Sequence, residues 1–149
     1  MSLKTFTTTS AAQTRAFGAK LARELKDGEI IALVGHLGSG KTTFIKGLAK
    51  GLGVKDTITS PTFVLMKIYK TKHKSIRKFV HVDCYRVPGI ELASIGLTDY
   101  LNQPDTVVAI EWAEKLPKNF KPTIKLKFDV GKKADERIIR VEATTQTPV

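Results

Sequence analysis

The sequence predicts an α/β fold in three layers, with a mostly parallel central sheet and antiparallel strands added at its edges. Three observations predict it. An apolar run at 29–34 leads through a glycine-rich loop into a helical stripe at 41–50, a strand–loop–helix unit that belongs to a parallel sheet. Two more apolar runs, 78–83 and 107–111, end in the acids Asp83 and Glu111. The stretches 123–130 and 137–143 alternate apolar and polar residues, as the two arms of a hairpin turned by 131–136 would.

Taken in order, 5–9 reads as a short edge strand, and Ser10 is placed to cap the helix that follows. That helix, 11–25, carries an apolar stripe of Ala12, Ala16, Phe17, Ala19, Leu21 and Leu25. Asp27 and Gly28 make a turn into the strand at 29–34. The helix at 41–50 puts Phe44, Ile45 and Leu48 on one face, and Gly51 and Gly53 end it. A polar loop around Pro61 precedes two strands, 63–69 and 78–83, joined by a basic loop. Residues 91–103 read as helical but broken at Gly96, 107–111 as a buried strand and 117–122 as a linker. The tail from 144 reads as frayed, and no repeat or low-complexity segment interrupts the chain.

The length, 149 residues, is that of one domain, here taken as 1–149, with enough apolar residues for a real core. The longest apolar runs are too short to span a bilayer, and the start of the chain is polar where a signal peptide would be apolar. A single cysteine, Cys84, rules out an internal disulfide and a cysteine-based zinc site, and reads as a small buried residue. These features lead us to expect a soluble cytoplasmic protein. The formal charge of +11 suits a partner carrying phosphate or acidic side chains. Lys67, Lys70, Lys72, Lys74, Arg77 and Lys78 fall in one acid-free stretch. It reads as a solvated loop or as a contact for RNA or a partner, and no aromatic-rich RNA-binding signature accompanies it.

The chemistry concentrates at residues 35–42, Gly35-His36-Leu37-Gly38-Ser39-Gly40-Lys41-Thr42, which fit G-x-x-x-x-G-K-[ST] between a strand and a helix. Glycines let the backbone wrap a phosphate, whose oxygens meet backbone N–H groups and a helix N-terminus. Lys41, expected at an exposed helix end, would reach the β- and γ-phosphates, and Thr42 would offer its hydroxyl to Mg2+. His36 is read as a loop residue and not a base. Such a site needs a further acid at a neighbouring strand end. Asp83 suits the magnesium shell, and Glu111 suits the same shell or could orient an attacking water. Asn102-Gln103-Pro104-Asp105 lacks the lysine of a guanine-reading motif and does not end a strand, so ATP is expected over GTP. The arginines are scattered and form no lid of the kind small-molecule kinases carry. An ATPase is the simplest reading. A small-molecule kinase and a nucleotide-dependent binding switch with negligible turnover are the alternatives.

Beyond residues 35–43, four other pieces make the spacing specific: Ser60-Pro61-Thr62-Phe63, His81-Val82-Asp83-Cys84-Tyr85-Arg86, Glu91-Leu92 with Gly96-Leu97, and Glu111-Trp112-Ala113-Glu114. Through these pieces the chain resembles the TsaE (YjeE) family, small bacterial ATPases needed to make threonylcarbamoyladenosine in tRNA. The resemblance implies that Leu37, Gly38, Ser39, Gly40, Lys41, Thr42 and Thr43 wrap the phosphates. It implies Lys41, Asp83 and Glu111 as the catalytic set, and Thr42, Asp83 and Glu111 at the metal. It makes Ser60, Pro61 and Thr62 a switch-like loop near the γ-phosphate and puts Trp112 beside the nucleotide. Ser10 and Ala11 at the first helix and Arg137 opening the last strand would complete the nucleotide site. The implied partners are TsaD-like and TsaB-like proteins, with tRNA met indirectly through them and no membrane involved. ATP hydrolysis would reset that complex. His36 stands where many members have Asp or another polar residue, and the run after Tyr69 is unusually basic.

Overall fold

The computed structural model describes residues 2–59, 66–85 and 96–143. Ser60, Pro61 and Thr62, the strand start at 63–65, Arg86, Glu91, Leu92 and the tail from 144 lie outside the described residues.

Seven strands form one sheet in the order β1-β7-β6-β2-β5-β4-β3. They are β1 Ser2–Thr8, β2 Ile30–Gly35, β3 Met66–Lys70, β4 Lys78–Asp83, β5 Thr106–Glu111, β6 Ile124–Val130 and β7 Arg137–Ala143. The central four, β6, β2, β5 and β4, run parallel. β7 and β1 on one side and β3 on the other are antiparallel additions. The position of each strand is visible in its burial. All six residues of β5 are buried, as a strand covered on both faces should be. In β6 Ile124, Leu126 and Phe128 point inward while Lys125 and Lys127 are exposed. β1 reaches back to Ser2, further than the sequence suggests, because it pairs with the whole length of β7.

One face of the sheet is covered by two helices, α1 (Ala11–Glu24) and α2 (Lys41–Gly51). Their core joins Phe44, Ile45, Leu48 and Ala22 to Leu33, Phe79, Leu126 and Phe128. The helices pack closely because the contact is glycine. A Cβ at Gly47 would collide with the Arg15 carbonyl. The opposite face, Ile30, Val80, Val82, Val108 and Ile110, is covered by Leu97, Tyr100, Leu101, Trp112, Leu116 and Phe120. The expected third layer is therefore there, but among the described residues it holds only short 3-10 turns, Leu97–Asp99 and Ala113–Lys115. Gly96, in the left-handed conformation, starts the first of these. Asn102 and Asp105 are left-handed turn residues, in keeping with a stretch that does not end a strand. No helix among the described residues is long and apolar enough to cross a membrane.

Candidate functional site

The two helices begin side by side and begin differently. Ser10 caps α1: its hydroxyl accepts the Gln13 N–H at 3.1 Å, and the Gln13 amide oxygen accepts the Thr9 N–H at 2.7 Å. α2 starts from Gly40, at φ 105°, with no side-chain cap and no acid in its first turn. Positive φ is open to glycine at little cost, and here it turns the 35–40 loop into the helix. The Ser39 hydroxyl just before it is buried without a hydrogen-bond partner among the described residues. Within the loop Ser39 N–H donates to the His36 carbonyl at 3.1 Å, and the side chains of His36 and Leu37 are exposed. A helix start without a side-chain cap presents N–H groups that attract an anion.

Parallel pairing brings the two acidic strand ends to this point. Asp83 lies opposite Glu111 in the β4–β5 register, and Glu111 opposite Leu33 in the β2–β5 register. Glu111 is 3% exposed, and its Oε1 accepts the Thr42 hydroxyl at 3.0 Å. Its Oε2 is 2.7 Å from Nε2 of His81, which is fully buried. Asp83 is half-buried and accepts the Tyr85 N–H at 2.9 Å through one oxygen. Burial lifts its carboxyl above the ordinary value, the Tyr85 hydrogen bond works against that, and the neighbouring Glu111 charge adds to it.

Lys41 is not at an exposed helix end: it is 4% exposed. Its ammonium donates to the Gly35 carbonyl and lies 3.4 Å from the centre of the Trp112 ring. Burial lowers its pKa, against the opposing pull of Glu111, Glu114 and Asp83. Trp112 reaches this position because the chain leaves β5 through a left-handed residue, φ 57°, an uncommon conformation for a bulky side chain. Its ring also meets Tyr85, with centroids 4.8 Å apart.

Ser10, Ala11, Thr14, Gly38, Gly40, Thr43, Asp135 and Arg137 line a cleft of about 150 Å³ between the two helix starts and the β6–β7 turn. Arg137 donates to the Gly38 carbonyl at 3.1 Å and to the Ala134 carbonyl at 2.6 Å. The residues expected in the phosphate loop, at the strand ends, at the start of α1 and at Arg137 therefore converge on one edge of the sheet. Ser60, Pro61 and Thr62 cannot be placed among them. Sequence reasoning gave no role to His81 or Asp135. The first could have been found from its place two residues before Asp83, on the same face of the strand. Cys84 is buried, and burial, with the Asp83 charge next, pushes its thiol up to about 12, which leaves it inert as a nucleophile.

Among the described residues no group of three or more His, Cys, Asp or Glu gathers to hold a metal alone. The donors present are a hydroxyl and two carboxylates, Thr42, Asp83 and Glu111, all hard oxygens. That set fits magnesium, which is commonly held by one or two carboxylates together with substrate phosphates and water.

A parallel sheet with a glycine loop entering an uncapped helix at Lys41 and Thr42, and acids on the neighbouring strand ends, defines the P-loop NTPase class. A family profile, that of threonylcarbamoyl adenosine biosynthesis protein TsaE, matches residues 8–139. The chain belongs to this family. It is 39% identical over 127 residues to the tRNA threonylcarbamoyladenosine biosynthesis protein TsaE of Streptomyces coelicolor, covering 82% of this chain and 84% of that protein. The protein of the same name from Treponema pallidum is 39% identical over 108 residues, covering 72% of this chain and 76% of the relative. Among solved structures, Bacillus subtilis YdiB superposes with a TM-score of 0.75 at 29% identity, over 95% of this chain and 86% of that one.

Proposed function

We propose that this chain binds ATP with magnesium at the 35–42 loop and hydrolyses it in the synthesis of threonylcarbamoyladenosine in tRNA, resetting a complex of TsaD-like and TsaB-like partners. The observation that carries the reading is the bond from Thr42 to Glu111, which ties the phosphate loop to an acidic strand end with Asp83 beside it. Lys41 neutralises the β- and γ-phosphates once it leaves the Gly35 carbonyl and Trp112. The N–H groups at the start of α2 take phosphate oxygens. Thr42, Asp83 and Glu111 would hold magnesium, which supplies charge neutralisation on the phosphates. Ser10, Ala11, Thr43 and Arg137 form the wall against the nucleoside side, and Trp112 closes the opposite side.

A second reading is a nucleotide-dependent binding switch with negligible turnover. One observation favours it: Glu111 is buried at 3% exposure, so water has little access to its carboxylate in the isolated chain. Partner docking would have to admit water to Glu111 for turnover, which makes the isolated chain a poor ATPase. ATP would favour docking and hydrolysis would favour release. By linkage, docking tightens ATP binding by the factor with which ATP tightens docking. The test measures ATP hydrolysis by the chain alone and with the purified partner pair, and docking with ATP, ADP and no nucleotide. The proposal expects faster hydrolysis with the pair and tighter docking with ATP. Docking indifferent to nucleotide together with unchanged hydrolysis would remove it.

A further inference from the structure

His81 occupies a costly place. It is fully buried on β4, its ring stacks on Phe79 with centroids 6.5 Å apart and planes 16° from parallel, and its Nδ1 has no hydrogen-bond partner among the described residues. A buried polar atom left unpaired destabilises a fold, whereas leucine or phenylalanine would fill an apolar slot without that cost. What the imidazole gains lies at its other nitrogen. Nε2 is 2.7 Å from Glu111 Oε2, and an ionised carboxylate can only accept, so Nε2 carries the proton in this pair. The two residues are 30 positions apart in sequence. They meet because β4 and β5 are parallel and in register, His81 opposite Ala109 and Asp83 opposite Glu111. The carboxylate is thereby held at both ends, Oε2 by His81 and Oε1 by the Thr42 hydroxyl.

We propose that His81 is a positioning residue: its Nε2–H fixes the rotamer of Glu111 and so keeps the Glu111 carboxylate aimed at Thr42 in the phosphate loop. The role rests on the reading of the loop as a site of Mg-ATP turnover. It involves no proton transfer from His81, only a hydrogen bond that removes a rotational freedom from Glu111. A glutamate released from it would lose orientation at the metal and the attacking water while the backbone of the phosphate loop stays intact. Nucleotide affinity should then hold while turnover falls.

Three variants separate this role from core filling. In His81→Gln the side-chain amide nitrogen falls near the place of Nε2 and can still donate to Glu111. In His81→Asn it falls near Nδ1, short of the carboxylate, and His81→Leu fills the slot with no donor. Hydrolysis is measured with the partner pair present, each variant being made in wild type and in Glu111→Gln. The expected result is a fall in kcat of about tenfold for Asn and Leu with KM within about twofold, and Gln within about threefold of wild type. In Glu111→Gln the same changes should lower the rate no further, because residues that act as a unit are not additive. A separate readout needs no turnover: long-range nitrogen-15 spectra of the nucleotide-free protein should place the His81 proton on Nε2, with a resonance that shifts in Glu111→Gln. His81→Leu at the wild-type rate, an equal further loss in Glu111→Gln, or a proton on Nδ1 overturns the proposal. If Leu and Asn do not fold, His81→Gln and the spectra decide. If wild type with its partners shows no Mg-ATP hydrolysis, it is the functional reading that fails, and the spectra alone decide the pairing of His81 with Glu111.

Discussion

The two helices of this chain begin at a common cleft, and one is closed where the other is open. At α1 the polar groups answer one another: Ser10 takes the Gln13 N–H, Gln13 takes the Thr9 N–H, and the Thr8 and Thr14 hydroxyls bond at 2.7 Å. At α2 they do not. Gly40 offers no cap, the Ser39 hydroxyl is unpartnered among the described residues, and the Lys41 ammonium is buried against a carbonyl and an indole. A satisfied helix start holds a fold together. An unsatisfied one stores an unfavourable arrangement that a phosphate-bearing ligand can relieve. Substitutions at α1 should therefore register in stability, and those at α2 and its carboxylates in binding and turnover.

The largest separation is expected at Lys41. Lys41→Ala should weaken binding of an ATP analogue about 100-fold, roughly 2.7 kcal/mol, in a chain that stays folded, as read by calorimetric titration. Unchanged affinity would break the contrast between the two helix starts. Next come the carboxylates. Asp83→Asn and Glu111→Gln keep size and remove charge, and each should cut partner-stimulated hydrolysis at least about tenfold, about 1.4 kcal/mol of barrier. Near-wild-type hydrolysis in both would take them out of the mechanism. Ser10→Ala should do the reverse. Loss of an N-cap costs about 1 kcal/mol of stability, and chemical denaturation should show it, with nucleotide binding disturbed far less than by Lys41→Ala.

The smallest effect concerns pH. Asp83 is raised above its ordinary value of 3.8, so between that value and its folded pKa the folded chain binds more protons than the unfolded one. Stability from this group is thus full below 3.8 and lost as pH rises through the folded pKa. Lys41 runs the other way: its pKa is lowered from 10.5, so its burden on the fold is present at neutral pH and eases as pH climbs toward 10.5. Asp83→Asn should accordingly raise the melting temperature slightly at pH 7, and the difference should vanish below pH 3.8. A variant less stable than wild type at pH 7 would mean that Asp83 is a structural group like those at α1.

The closed helix start was legible in the sequence, and the open one only in part. Ser10 just ahead of the apolar helical stripe is a local capping signal, and the structure bears it out. The mostly parallel centre and the antiparallel hairpin beside it followed from the loop at 35–42 and from the alternation in 123–143, both short-range patterns. The burial of Lys41 was not legible, because it depends on Trp112, 71 positions away, adopting a left-handed backbone that no residue type announces. The pairing of His81 with Glu111 needed the β4–β5 register, which a sequence without strand partners does not state. Arg137 came to the site only through family resemblance, since its bond to the Gly38 carbonyl spans 99 positions. The break expected at Gly96 within 91–103 is where the described part of that stretch begins, with Gly96 leading into the 3-10 turn Leu97–Asp99.

Trp112 is the only tryptophan in the chain, and its ring carries the Lys41 ammonium at 3.4 Å. Nucleotide phosphates that take Lys41 must remove that cation from the ring, so the protein contains its own reporter. The most direct measurement of the central claim is a fluorescence titration of the folded chain with a non-hydrolysable ATP analogue and magnesium, repeated with Lys41→Ala. The account predicts a saturable change in Trp112 emission for wild type and none of comparable size for the variant over the same concentrations. Emission that does not respond in the wild-type chain, or that responds equally in Lys41→Ala, would contradict it.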